Sequence, residues 1–221
     1  MTKGIVSGVV SNMVTLRVDG PVLQGEICYI TTGGDRLMAE VIKVVGSDVY
    51  VQVFESTRGL KVGSQAEFTG HQLEIQLGPG MLSKNYDGLQ NDLDKMDGVF
   101  LRRGQYTAPL DEDRLWDFEP IVKAGDRVQG SDWLGKVEEN HQPLKIMAPF
   151  QMEGTAVVKS IVPSGQYKVN DTIAVLTTEA GEDINVTMVQ HWPVKFAMTN
   201  YKEKPRPFKL LETGVRTIDT F

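Results

Sequence analysis

The sequence predicts a mainly β protein that contains at least two β modules. Three observations support this fold class. Apolar and polar residues alternate with a period of two through residues 1–70, as in half-buried strands. Turn signals rich in glycine and aspartate recur at short intervals. A short pattern in the second half of the chain occurs twice, at residues 121–125 and 161–165. With 221 residues, the chain is long enough for more than one core.

Composition narrows the function class before any motif is considered. Hydrophobic residues make up 41% and charged residues 24% of the chain, values that are typical of a folded globular protein. The 29 acidic and 23 basic residues give a net charge of -6, which argues against nucleic acid as a partner and favours protein partners. No apolar run approaches the roughly 18 residues of a membrane-spanning helix. We expect a cytoplasmic chain without direct membrane insertion.

Residues 1–70 predict a six-stranded β-barrel. Residues 14–18 show the alternation most plainly, and residues 37–41 and 49–53 form a predicted hairpin around the turn at residues 46–48. A closed barrel is favoured over an open sheet because a small sheet with free edges would pair with other chains. Cys28 lies in an apolar strand pattern and is predicted to be a core thiol.

Residues 71–115 have a different character. A strand-like run at residues 73–77 stops at Gly78-Pro79-Gly80. Ser83 then offers a helix cap, and the sequence predicts a short helix through Met96. Three apolar side chains would form one stripe on this helix: Tyr86, Leu89 and Leu93.

Residues 116–188 predict a second β module with internal symmetry. Each copy of the repeated pattern is followed by a valine, an aspartate and an apolar residue, namely Val128, Asp132 and Leu134 after the first copy and Val169, Asp171 and Ile173 after the second. Two such units could interlock as a pseudo-symmetric β-sandwich. The alternative is a chance likeness between two common hairpin sequences.

Residues 189–221 predict an extended, exposed tail that ends at the start of a helix. Prolines and basic residues occupy the stretch around residues 202–207, and Val215 and Ile218 then follow Thr213-Gly214 with helical spacing. A helix that stops after its first turns suggests a fragment of a longer protein.

No catalytic, cofactor-binding or metal-ligating residue is predicted. Residues 130–136 match the first seven positions of a phosphate-binding loop, but Val137 stands where the magnesium-binding hydroxyl is required, and no helix pattern follows. The three histidines, His71, His141 and His191, lack the spacing of a metal site.

Several motifs resemble the N-terminal part of the catalytic A subunit of V-type and archaeal-type rotary ATPases. They are spread over nearly the whole chain, at residues 55–63, 77–82, 86–90, 122–128, 133–137, 154–157, 187–194 and 213–219. The resemblance implies an N-terminal β-barrel at 1–70, a segment leading into an α/β nucleotide-binding domain at 71–115, an inserted barrel-sandwich-like bulge domain at 116–188, and a return segment at 189–221.

The resemblance also implies partners and a cellular role. The barrel would join B subunits in an alternating hexamer, and the bulge domain would contact the peripheral stalk. The full-length subunit would couple Mg-ATP hydrolysis or synthesis to H+ or Na+ transport, in a head that is peripheral to the membrane. In that family the phosphate loop follows beyond Phe221, so no catalytic residue of the family transfers to this sequence.

Two other classes stay open from the residues alone. The repeated hairpins are similar to biotinyl and lipoyl carrier domains, in which a lysine at a tight turn is modified, and Lys145 would be the candidate here. A free-standing β adaptor built from the same modules is the second alternative.

Overall fold

The computed structural model describes residues 2–96, 98, 100, 102–197, 203, 206–209 and 211–220. Its N-terminal module is a closed antiparallel barrel with the strand order β1-β2-β5-β4-β3-β6. The six strands are β1 (Lys3–Val10), β2 (Met13–Val18), β3 (Glu26–Thr32), β4 (Asp35–Val45), β5 (Asp48–Val53) and β6 (Gln65–Gln72). The predicted six-stranded barrel is confirmed.

The barrel interior collects the inward residues of the alternating pattern. Val14 pairs with Val51 and Leu16 with Val49 across the β2–β5 ladder, and all four side chains are fully buried. Because side chains point to opposite faces at successive positions, the polar residues between them face outwards. Cys28 is also fully buried, which confirms its prediction as a core thiol.

The segment after the barrel contains the main departure from the sequence prediction. The prediction of a helix over residues 83–96 is wrong, because only a 3-10 helix at Leu93–Lys95 forms in this range. Asp87 explains the failure, since its Oδ1 accepts hydrogen bonds from the backbone N–H groups of Leu89 at 2.9 Å and Asn91 at 2.8 Å. Aspartate side chains that bond nearby N–H groups stabilise a turn at the expense of a helix.

The expected apolar stripe is also absent from this loop. Leu93 is exposed, whereas the polar Gln90, Asn91 and Asp92 are buried. Gln90 shows why burial is tolerated: its Nε2 donates to the Gln76 carbonyl, and its Oε1 accepts from the Gln76 N–H, both at 2.7 Å. The side-chain amide thus satisfies the backbone of a neighbouring strand.

A two-stranded sheet joins the segments on either side of the second module. β7 (Glu74–Leu77) pairs antiparallel with β16 (Gln190–Pro193). The sequence prediction of an exposed tail therefore has to be corrected for the first residues of the return segment, since Val189 is buried and Trp192 is half-buried. Trp192 packs edge-on against Phe150, with ring centroids 5.2 Å apart.

The second module, called the insert below, consists of two four-stranded sheets. Their strand orders are β11-β10-β8-β13 and β15-β14-β12-β9. The strands are β8 (Leu115–Pro120), β9 (Arg127–Gln129), β10 (Trp133–Glu139), β11 (Gln142–Met147), β12 (Thr155–Ile161), β13 (Gly165–Lys168), β14 (Ala174–Thr178) and β15 (Asp183–Val186). Adding four to each strand number of the first sheet gives the second sheet, with β13 returning to β9 because the insert has eight strands. Each sheet thus contains three strands of one repeat unit and one strand of the other, so the two units are interlocked as predicted.

The turns of the two units correspond as well. Asp132 accepts a hydrogen bond from the Gln129 N–H, and Asp171 accepts the equivalent bond from the Lys168 N–H, each at 2.8 Å. Each aspartate caps the turn after a short strand, β9 or β13, that pairs with a strand of the other repeat unit. The repeat is therefore structural, and the alternative of a chance sequence match is excluded.

The glycines of the repeat occupy equivalent positions with different backbone angles. Gly125 donates its N–H to the carbonyl of Val158, and Gly165 pairs with Phe118, the residue that corresponds to Val158 in the other unit. Gly125 has φ +95°, a conformation that favours glycine, whereas Gly165 lies in a strand.

The tail carries one turn of helix, α1 (Arg216–Asp219), and its described residues from Val194 onwards are exposed. Asp219 accepts hydrogen bonds from the backbone of Thr213 and Gly214, both at 2.9 Å. Lys202, Lys204 and Pro205 of the predicted extended stretch lie outside the described residues. Where the structure describes the chain, no helix has the length and hydropathy of a membrane span.

Candidate interaction surfaces

The run that resembles a phosphate loop forms a turn and a strand. Ser131 takes a positive φ of 76°, and β10 begins at Trp133, so the backbone amides that follow join a β-ladder rather than the start of a helix. Lys136 lies on the exposed face of this sheet, 2.8 Å from the Glu119 carboxylate. Its hydrogen bond to Glu119 raises the pKa of Lys136. This geometry differs from a phosphate-binding cradle.

The histidines are placed near carboxylates, but they do not assemble a metal site. His71 and His191 flank Glu74, each with Nδ1 3.9 Å from the Glu74 Oε2, and His141 lies 3.5 Å from Glu138. Among the described residues, no group of three or more side chains could hold a metal ion.

Lys145 occupies the middle of a strand, which is unlike the turn position of a carrier lysine. Its Nζ lies 3.0 Å from the centre of the Trp133 ring, as in a cation–π contact. The tip of the β10–β11 hairpin is instead formed by Asn140 and His141, with φ values of 49° and 63°. The geometry therefore gives the carrier alternative no support.

The barrel is attached to the following segment by a polar junction. Arg103 donates its Nε to Asp35 at 2.9 Å, and the Gly104 N–H donates to Glu55 at 3.1 Å. Tyr106 accepts the Met38 N–H at 2.9 Å. Burial, together with the negative charge of Glu55, raises the pKa of Tyr106. Two residues after Met38 on the same strand, Glu40 forms an ion pair with Lys195, and the Glu40 carboxylate is largely buried.

One side of the barrel carries exposed apolar residues, here called the barrel patch: Ile5, Val45 and Tyr50. A row of cross-strand neighbours runs from Val45 through Asp48 and Arg17 to Ile5, over four adjacent strands. Ile5 is 55% and Val45 51% exposed. The Arg17–Asp48 ion pair, at 3.5 Å, lies within the patch. Exposed apolar groups that lie together on a protein surface, especially beside polar residues, often mark an interaction site.

A second surface, here called the insert patch, lies on the insert: Ile121, Trp133 and Lys145. The Ile121 N–H donates to the carbonyl of Leu134 at 2.8 Å, which places Ile121 beside Trp133. Both apolar side chains are 49% exposed. An exposed tryptophan against a lysine is the type of anchor found in binding hot spots.

Comparison with known proteins identifies the family. The beta-barrel domain of the ATP synthase alpha/beta family matches residues 6–70, and the barrel-sandwich domain of the ATP synthase alpha/beta subunit matches residues 107–195. The chain belongs to the ATP synthase alpha/beta family. Both matches coincide with modules of the structure, the first with the barrel and the second with the insert and the strand β16 that follows it.

Relatives within this family are V-type ATP synthase alpha chains. Those of Borreliella burgdorferi (strain ZS7) and Treponema denticola are 44% and 45% identical over 223 residues, covering 100% of this chain. That of Borrelia hermsii is 45% identical over 222 residues and covers 99% of this chain. The chain spans 38% or 39% of the length of these relatives and is homologous to their N-terminal part. The family resemblance stated from the motifs is confirmed.

Several residues that organise these surfaces could not be singled out from the sequence. Arg103, Gln90 and Glu139 each bond a backbone or side-chain group far along the chain, for example over 68 positions between Arg103 and Asp35. Neither the spacing nor the composition of the sequence around these three residues indicates such partners.

Proposed function

We propose that this chain is the non-catalytic N-terminal part of the catalytic subunit of a rotary, ion-translocating ATP synthase. The observation that carries the proposal is the 44–45% identity to V-type ATP synthase alpha chains, which extends through both β modules in order. The whole subunit would couple Mg-ATP hydrolysis or synthesis to transport of H+ or Na+, in a head on the cytoplasmic side of the membrane.

The barrel would assemble the head by side-to-side contact. Its partner would be the B subunit, in a ring in which six barrels of two kinds alternate. The barrel patch supports this role, because Ile5 and Val45 expose apolar surface on a rigid closed module. A ring of rigid barrels would hold the subunits together while their catalytic parts open and close.

The insert would contact the subunits of the peripheral stalk. The insert patch supports this assignment, since Trp133 offers a large apolar surface and Lys145 a positive charge for an acidic partner.

The chain itself would neither bind nor hydrolyse nucleotide. The run at residues 130–136 supplies strand amides already paired in a ladder, and Lys136 faces Glu119. Titration of magnesium-ATP into the chain by calorimetry should give no binding heat, and Lys136→Ala should leave that result unchanged. Micromolar binding that is abolished by Lys136→Ala would assign the loop a nucleotide site and overturn this part of the proposal.

The assembly role is tested with the chain and a purified B subunit. A double change, Ile5→Glu and Val45→Glu, places two charges in the proposed interface and should weaken the association at least about tenfold. Leu115→Glu is the matched control, because Leu115 is 53% exposed but lies on the insert. Light scattering after gel filtration measures the complex. Equal association of all three proteins would contradict the proposed contact.

A further inference from the structure

A loop at residues 78–83 lies where three parts of the chain meet. β7 ends immediately before it, and Gly78 packs against the end of the insert. A β-carbon built on Gly78 would approach Leu110 and the carbonyl of Met188 to 3.2 Å. The loop is therefore already in close contact with the root of the insert.

The far end of an insert hairpin reaches the same loop. Glu139, at the end of β10, has only 3% of its surface exposed. Its Oε1 accepts hydrogen bonds from the backbone N–H of Gly80 at 2.9 Å and of Leu82 at 3.0 Å. The next residue, Asn140, donates to the Ser83 hydroxyl at 3.2 Å. Three hydrogen bonds thus attach one hairpin tip to one loop.

The carboxylate suits this position for a chemical reason. Two converging N–H donors match the acceptor capacity of an ionised carboxylate, and bonds of this charge-assisted kind are among the stronger ones in proteins. Gly80 has φ +104°, so the loop adopts a conformation in which its N–H and that of Leu82 point to the same acceptor. A larger residue at Gly80 would be strained.

Among the described residues, the opposite hairpin of the insert makes no such contact. By the internal symmetry, the position of Glu139 corresponds to Thr178, whose Oγ1 accepts the N–H of Glu182 within its own hairpin at 3.2 Å. The docking of Glu139 is therefore a property of one repeat unit and is not required for the sandwich fold.

We infer that Glu139 is a positioning residue that locks the insert to the 78–83 loop, so that the insert and the β7–β16 sheet move as one body. Displacement of the insert would then be passed directly to the strands that flank it. This inference concerns the mechanics of the chain and does not rest on the proposed function.

The test compares Glu139→Ala and Glu139→Gln with Glu138→Ala in the full chain. Glu138 is the matched control, because it is the neighbouring acid and its side chain is 72% exposed. Amide hydrogen exchange is measured residue by residue by NMR. We expect Glu139→Ala to accelerate exchange at Gly80 and Leu82 by about tenfold to a hundredfold, the range for lost hydrogen bonds to a charged group. Glu139→Gln retains one carbonyl oxygen and should restore part of the protection.

The three tryptophans supply a second readout. A β-carbon built on Gly80 would lie 3.5 Å from Trp116, so the indole N–H resonance of Trp116 should shift in Glu139→Ala. Trp133, at the opposite end of β10, should keep its resonance position.

Two results would overturn the inference. One is exchange at Gly80 and Leu82 that matches the Glu138→Ala control. The other is faster exchange spread equally through β12 and β14, which would show that Glu139 supports only the fold of the insert. If Glu139→Ala fails to fold, Glu139→Gln is compared with the Glu138→Ala control instead. An intermediate acceleration of exchange confined to the loop supports the inference. Exchange at the same rate as in the control overturns it.

Discussion

The barrel and the insert are both small antiparallel β modules, but their strands find their pairing partners in different ways. In the barrel, β1–β2, β3–β4 and β4–β5 are hairpins of consecutive strands around one core cluster. In the insert, each four-stranded sheet takes an edge strand from the other repeat unit, through the β8–β13 and β9–β12 ladders, and there are two core clusters.

This difference determines which pieces of the chain can fold alone. A barrel segment contains all the partners that its strands need. A single repeat unit of the insert does not, because its short strand β9 pairs only with the other unit. Sequence similarity between two units therefore does not make either of them a domain, and the pairing of the strands has to be known as well.

The largest expected effect comes from cutting each module out of the chain. Residues 2–72 should melt cooperatively as an isolated barrel, whereas residues 107–150, which contain one repeat unit, should remain unfolded. Circular dichroism and amide dispersion measure both. The control is the complete insert, residues 107–195, which should fold. A folded half insert would remove the distinction between the two modules.

A smaller but still severe effect is expected from Gly135→Ala. A β-carbon at this position would overlap the ring of the fully buried Phe118 and lie 2.8 Å from the carbonyl of Glu119. Overpacking of this kind should lower the free energy of unfolding of the insert by about 3 kcal/mol.

Urea denaturation followed by a probe in the insert measures this change. Gly88→Ala is the control, because nothing lies within 4 Å of a β-carbon there. The barrel should keep its own transition. An equal loss of stability in the barrel would mean that the two modules unfold as one unit.

The next effect is specific to the barrel and depends on pH. Burial, with a further contribution from the charge of Glu26, raises the pKa of the Cys28 thiol from 9.0 to about 12. The folded protein therefore holds the proton where the unfolded chain releases it, and stability falls as the pH rises above the unfolded pKa. Between about pH 9 and about pH 10.5, ionisation of this thiol in the unfolded chain should lower the free energy of unfolding by about 2 kcal/mol.

Urea melts of the native protein and of Cys28→Ala at both pH values isolate this contribution. Other alkaline groups titrate in both proteins and cancel in the difference. Cys28 should also react with a thiol reagent only after unfolding. Equal pH dependence of the two proteins, or rapid reaction in the folded state, would show that the barrel core is open to water.

The smallest effect is expected on the insert surface. Lys136→Ala removes an ion pair with Glu119 whose side chains are 48% and 59% exposed. Such pairs contribute little because water screens them, so the midpoint of thermal unfolding should stay the same within experimental error. A clear fall of that midpoint would assign Lys136 a structural role that its geometry does not suggest.

The sequence by itself determined the strands, the turns and the family. Alternation reports which face of a strand is buried, and glycine or aspartate reports where the chain turns, so the barrel and the repeat were predictable from local pattern. The helix prediction at residues 83–96 failed because Asp87 bonds N–H groups two and four residues away, and hydrophobic spacing carries no record of that competition.

Tertiary structure alone decided how the modules are attached. Glu139 meets Gly80 across 59 positions and Lys195 meets Glu40 across 155, in each case because the assembled sheets bring distant segments together. The exchange of edge strands between the repeat units has the same origin. Period and composition describe the surroundings of a residue along its own strand, whereas the partner of a buried carboxylate depends on which other segment the completed sheets place beside it.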